Sequence, residues 1–133
     1  MEKLEHIGIA VRNIEKANEL FARLLGTDHY KIEEVLSEQV RTSFFRIGDV
    51  KIELLEATND NSAISRFIEK RGEGIHHLAF EVSDIHESVR HYQNQGYELI
   101  NTEPKPGADN KLICFLHPKS TGGVLIELCQ EKN

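Results

Sequence analysis

No stretch of this chain approaches the ~18 consecutive apolar residues that a membrane-spanning helix needs. Its opening Met-Glu-Lys-Leu-Glu-His has none of the apolar core of a signal peptide. No membrane association and a cytoplasmic location are therefore expected. Cysteine is scarce, with only Cys114 and Cys129. Each falls in an apolar, strand-like run, and two free thiols in a reducing compartment are expected rather than one disulfide. An excess of positive charge is also missing. Lys and Arg number 16 against 22 Asp and Glu, for a net charge of −6, and no Lys/Arg cluster appears. Binding a phosphate backbone needs a basic face, so no nucleic-acid partner is expected. An anionic small molecule needs only a few local cations and stays allowed.

What is present fits one folded domain spanning 1–133. The 133 residues suffice for a core, and 39% apolar with 29% charged residues is ordinary for a folded soluble chain. The organising feature is a repeat. Gly74–Val82 reads G-I-H-H-L-A-F-E-V, and His6–Val11 reads H-I-G-I-A-V. Superposed, His6 falls on His77, Ile7 on Leu78, Gly8 on Ala79, Ile9 on Phe80 and Val11 on Val82.

Each copy opens a similar series of elements. Leu4–Val11 alternates as a strand, with Ile7, Ile9 and Val11 on one face and His6, Gly8 and Ala10 on the other. Asn13 caps a helix to about Leu25, whose stripe is read as Ile14, Ala17, Phe21 and Leu24, and Gly26 ends it. Strands follow at about Tyr30–Leu36, Val40–Ile47 and Val50–Glu56, the last two joined at Gly48-Asp49. A polar linker and a short helix, Ala63–Arg71, fill 58–73. The series then restarts with Ile75–Val82 as a strand. A helix follows with a capping box at Asp84 and Glu87, the stripe Ile85, Val89 and Tyr92, and Gly96 at its end. Strands are expected at Tyr97–Asn101, Leu112–Leu116 and Val124–Gln130. The fold class is thus α+β: two paired β-α-β-β-β modules, about 4–57 and 74–130, forming a curved, cleft-bearing mixed sheet.

The modules also close alike. K-I-E-L-L-E matches L-I-E-L-C-Q, setting Glu53 on Glu127. Alternation puts His6, Glu53, His77 and Glu127 opposite the bulky apolar faces of their strands. Two imidazoles and two carboxylates facing one cleft suit a divalent metal, since imidazole favours Zn, Co, Ni, Cu and Fe, and carboxylate extends the range to Mn and Mg. Four protein ligands on a six-coordinate ion leave two positions for a bidentate substrate. Any one of these residues alone would read as structural; four at equivalent places read as a site. His29, His86 and His91 are expected at the surface. His76 points away from the metal, in a packing or supporting role. His117 is left between contacting substrate and capping its turn.

The paired modules with His…Glu…His…Glu resemble the vicinal oxygen chelate (glyoxalase) superfamily. Three stretches bring them close to its methylmalonyl-CoA epimerase family: H-I-G-I-A-V at 6–11, E-K-R-G-E-G-I-H-H-L-A-F-E-V at 69–82 and H-P-K-S-T-G-G-V-L-I-E-L at 117–128. The likeness covers essentially the whole chain. It implies a metal-dependent 1,1-proton transfer interconverting the 2R and 2S epimers of methylmalonyl-CoA through a metal-stabilised enolate. It also implies His6, His77 and Glu127 as ligands, and Glu127 as a base on one face of the substrate. Glu53 stands where some relatives carry a glutamine ligand; it is carried here as a metal ligand and as a catalytic candidate. The implied cofactor is a divalent ion, Co²⁺ first, with Mn²⁺, Ni²⁺, Zn²⁺ or Mg²⁺ as alternatives. The partners implied are an acyl-CoA substrate and a second copy in a homodimer. His117, Lys119 and Ser120 are candidate substrate contacts, with Lys105, Lys111 and the amides near Gly122 for the phosphates of CoA.

One departure stands out. Better-known bacterial relatives carry a second glutamate base on the strand matching Val40–Ile47, where this chain has Thr42 and no carboxylate. Glu53, Glu38 or a bound water are the readings left open for that role. Competing functions are a glyoxalase-like isomerase acting on a hemithioacetal, an extradiol dioxygenase, and a non-enzymatic resistance protein that sequesters a small molecule. Retention of all four ligands speaks against the last.

Overall fold

The computed structural model describes residues 1–132. In order, the elements are β1 (Lys3–Ala10), α1 (Ile14–Leu25), β2 (Lys31–Val35), β3 (Val40–Ile47), β4 (Val50–Ala57), α2 (Ala63–Arg71), β5 (Gly74–Glu81), α3 (Ile85–Asn94), β6 (Lys105–Pro106), β7 (Lys111–Leu116) and β8 (Ile126–Glu131), with short 3-10 turns between some of them. The class is the α+β one expected, with two β-α-β-β-β modules and mixed strand pairing. Two compact units result: His6–His76, and Met1–Glu5 together with the residues from His77 onward.

In the His6–His76 unit the strands are ordered β2-β3-β4-β1. β1 runs parallel to β4, whereas β2/β3 and β3/β4 are antiparallel. Helix α1 begins where the Asn13 side chain accepts the Lys16 N–H at 2.9 Å, and it stops at Gly26, whose φ of 73° is left-handed. One face of the sheet takes the helix, and Val11, Phe45 and Leu54 form the core there with Ile9, Ile52, Ala17, Phe21 and Leu25 packed around them. Burying a side chain such as Phe45 fully contributes about 1.5–3 kcal/mol.

The helix stripe departs from the expected one at its end. Leu24 points outward, 69% exposed, and Leu25 takes the inward place. The period explains it, for at about 100° per residue Leu25 falls roughly 20° from Ile14 around the helix and Leu24 roughly 80°. Asn18 is buried on the stripe as well, and its Oδ1 accepts the Ser43 hydroxyl. His29 is half-buried rather than a surface residue, with its ring edge-on to Phe45 at 6.0 Å.

In the second unit the order is β5-β8-β7-β6, with β5 parallel to β8 and the other pairs antiparallel. Val82, Ile85, Val89, Cys114, Leu116 and Leu128 form the core under α3. Tyr97–Asn101 is not the strand expected. It makes one isolated bridge, Leu99 to Leu116, and then the Asn101 side chain takes the Phe115 N–H at 3.2 Å, so that a side chain stands where the next backbone acceptor would be. Pairing with β7 resumes at Lys105–Pro106, and Pro106 has no N–H to extend it. Val124 is exposed and β8 starts only at Ile126.

The repeat extends to how each helix is seated. In the first unit Glu56 accepts the Ile14 N–H at 3.0 Å; in the second Gln130 accepts the Ile85 N–H at 2.6 Å. Glu56 and Gln130 are the aligned last residues of the two closing motifs. Each lies three positions beyond its Glu53 or Glu127, and an odd step along a strand sends a side chain to the opposite face. One face thus ties down the helix N-terminus while the other carries the glutamate. Both cysteines are free, as expected. No helix among the described residues is long and apolar enough to cross a membrane.

Candidate active site

Pairing registers fix which side chains share a face. On β1 and β4, Gly8 lies beside Glu53 and His6 beside Lys51; on β3, Phe44 lies opposite Glu53, and Thr42 opposite Leu55. His6, Glu53, Phe44 and Thr42 therefore project from the face that α1 does not cover. The second unit repeats this. Ala79 lies beside Glu127 and Phe115 opposite it, and His77 shares their face. In both units a glutamate stands between a small residue, two positions after the histidine, and a phenylalanine on the antiparallel neighbour. Gly8 and Ala79 leave room for the carboxylate, and the phenylalanine walls its other side.

The four residues are all buried, at 5% exposure for His6, 3% for Glu53, 5% for His77 and 5% for Glu127. His6 Nδ1 lies 3.2 Å from Glu53 Oε2, and His77 Nε2 lies 3.2 Å from Glu127 Oε1. The His77 ring also stands edge-on to Phe115 at 5.9 Å. Two neighbouring ligand atoms on an octahedral ion with bonds of about 2.1 Å lie about 3.0 Å apart. Each pair thus has the donor types and the spacing to share one divalent cation, and the residues fit such an ion.

The remaining candidates separate clearly. His76 is half-buried and its ring packs edge-on to Phe67 at 5.0 Å, a packing role. His86 and His91 are exposed. His117 caps its own turn, Nδ1 accepting the Lys119 N–H at 3.1 Å. Ser120 Oγ accepts the Glu98 N–H at 2.9 Å, and Lys119 Nζ reaches Glu98 Oε1 at 2.8 Å while remaining exposed. The Glu98 carboxyl is held below its ordinary range, chiefly by that hydrogen bond to Lys119. Lys111 differs from an open cationic contact. It is buried, with its ammonium 3.0 Å from Glu131 Oε1 and 4.0 Å from Glu5 Oε2. Glu38 sits in the 3-10 turn Leu36–Glu38, off the strand face.

Thr42 is fully buried, and its Oγ1 is the only buried side-chain polar atom among the described residues that lacks a hydrogen-bond partner. A buried hydroxyl left unpaired costs free energy, and such atoms are rare in folded proteins. The residue across from it, Glu33 on β2, is one that sequence reading passed over. The signal was available, because alternation along Lys31–Val35 with a hairpin register puts Glu33 and Thr42 on one face.

A family model described as Glyoxalase/Bleomycin resistance protein/Dioxygenase superfamily matches residues 5–115. Methylmalonyl-CoA epimerase, mitochondrial, of Dictyostelium discoideum is 39% identical over 95% of this chain and 76% of its own length. Among solved structures, a hypothetical protein from Bacillus halodurans C-125 superposes with a TM-score of 0.95 at 44% identity, covering 98% of this chain and 95% of that one. A variant of Streptomyces coelicolor methylmalonyl-CoA epimerase, in complex with 2-nitronate-propionyl-CoA, gives a TM-score of 0.94 at 31% identity, again over 98% and 95%.

Proposed function

The chain belongs to the glyoxalase/bleomycin resistance protein/dioxygenase superfamily, and within it we propose an enzyme that epimerises methylmalonyl-CoA at its α-carbon. The observation that carries the chemistry is the pair of buried His–Glu contacts, each 3.2 Å, at matching places in the two units. The substrate class comes from the relatives, of which this chain spans most of the length.

His6, Glu53, His77 and Glu127 are the residues that would hold a divalent ion, Co²⁺ in the first instance, with Mn²⁺, Ni²⁺, Zn²⁺ or Mg²⁺ as substitutes. When bound, such an ion supplies a positive charge for the thioester and carboxylate oxygens, lowering the cost of negative charge that develops on them. The protein does the rest. Glu127 takes the Cα proton from one side, or returns it, and the acyl group passes through a planar enolate. His77 Nε2 lies 3.2 Å from Glu127, as a neighbouring ligand would, and Phe115 packs against the His77 ring opposite Glu127. Glu53, 3.2 Å from His6, would serve as ligand and as a further carboxylate beside the substrate. His117, Lys119 and Ser120 border the CoA end, with Lys119 leaving Glu98 to meet a phosphate. A cytoplasmic homodimer belongs to the same proposal, and sedimentation of the purified protein tests the assembly.

The decisive experiment is exchange of the substrate Cα proton with solvent deuterium, run on metal-loaded protein. Exchange is expected to proceed, to stop on adding a chelator, and to stop in Glu127→Gln for the epimer whose Cα proton Glu127 takes. A folded, metal-loaded sample that exchanges no proton from methylmalonyl-CoA overturns the reading.

A further inference from the structure

Inversion at a carbon needs proton transfer on two opposite sides, and the strand that bears the second carboxylate in better-known relatives has Thr42 here. We propose that this second acid/base is Glu33, displaced one strand outward onto β2, with the orphan hydroxyl of Thr42 as the residue that positions it. The inference rests on the epimerase reading.

Register carries it. Glu33 lies directly opposite Thr42 in the antiparallel β2/β3 pair. Side chains directly opposite have Cβ atoms about 4.5–5.5 Å apart, within the reach of a glutamate leaning across its neighbour. Leaning so, the Glu33 carboxylate comes over Thr42, into the space that a longer acidic side chain at residue 42 would fill. The face holding Thr42 also carries Lys31, Phe44, Arg46, Lys51 and Glu53. Glu33 and Glu53 are thus the carboxylates that β2, β3 and β4 present there, and Glu53 is already engaged with His6. Glu33 is half-buried, and one of its contacts is a 3.6 Å approach to Lys31, whose ammonium lies 4.5 Å from the Phe44 ring centroid. Such partly exposed pairs are weak and readily exchanged. Thr42 Oγ1 meanwhile is fully buried with no partner, a donor for the carboxylate of Glu33 when it leans across.

The step balances simply. Glu33 takes the Cα proton while the C–H electrons pass into the acyl group, and protonated Glu127 delivers its own proton to Cα from the other side. The reverse turnover, or exchange with water, restores both carboxyls.

The test uses single epimers in deuterium oxide. Glu33→Gln is expected to cut inversion by about 100-fold or more, while one epimer still takes up deuterium at Cα without inverting. A merely structural residue does not produce exchange without inversion. Thr42→Val is expected to lower kcat with KM nearly unchanged, and Thr42→Ser to restore it. Glu33→Gln combined with Thr42→Glu is expected to regain inversion. Glu34→Gln, on the opposite face, leaves the rate unchanged. An active wild type whose inversion survives Glu33→Gln overturns this inference and leaves the epimerase reading intact. A folded, metal-loaded wild type that is inert overturns both.

Discussion

Thr42→Val is expected to make this protein more stable, an unusual outcome for a change at a fully buried position. The native hydroxyl is removed from water and receives nothing in return. Leaving a buried donor or acceptor unsatisfied costs about 1–3 kcal/mol. Valine has nearly the shape of threonine, opens no cavity and suits a strand equally well. Taking about 1–2 kcal/mol as the net gain sets the scale. At roughly 2.1 cal/mol/K per residue, 133 residues unfold with an entropy of about 280 cal/mol/K. The midpoint should therefore rise by about 4–7 °C. Differential scanning calorimetry of the metal-free protein measures it, and urea unfolding should show a higher midpoint at unchanged slope. An unchanged or lowered Tm would mean that the hydroxyl finds a partner in the folded protein, and the case for a donor held in reserve would collapse. The same variant should turn over more slowly, so stability and rate are expected to move in opposite directions.

Four further outcomes can be checked. His77→Ala should weaken divalent-metal binding by more than about 100-fold, since changes one shell further out already cost 10–100-fold; isothermal titration with Co²⁺ reads this directly. Burial pushes the Cys114 thiol up to about 11 from 9.0. The folded state therefore keeps its proton where the unfolded state has lost it, and stability should decline as pH rises from about 9 to about 11, a trend that Cys114→Ala should flatten. Neither thiol should react with a disulfide reagent at pH 8 until the protein unfolds. Lys111→Ala should destabilise by about 3 kcal/mol, because it removes a buried ammonium that faces Glu5 and Glu131; denaturant titration measures the loss.

The pairing of each histidine with its glutamate was legible because it is written in strand periodicity. A histidine and a glutamate, each fixed by alternation to the face away from the bulky residues, come together whenever the strands pair in register, and the repeat supplied the check. Elements that depend on a single side chain were harder. Asn101 cuts strand pairing short by taking the Phe115 amide on its side-chain oxygen, an event that no window of hydrophobicity reports. Leu24 and Leu25 differ only in angle around a helix, and composition cannot choose between them. The buried lysine at 111 looked like a surface cation because its partners are remote in sequence, at Glu5 and Glu131. Glu33 was overlooked for a similar reason: its meaning lies in the residue across the hairpin.

The opposite-face division of β4 and β8 carries a consequence for how such a chain can vary over time. Glu53 and Glu56, like Glu127 and Gln130, serve different faces from one strand, three positions apart. Dropping or adding one residue between them would leave the helix anchor and the carboxylate on the same face, so that one of the two loses its place. Length changes in a lineage are thereby confined to the connections, such as 58–62 and 118–125, and the strands can drift only by substitution. Novel chemistry on this scaffold has to arrive one side chain at a time, within a frame whose spacing is locked from both sides of the sheet.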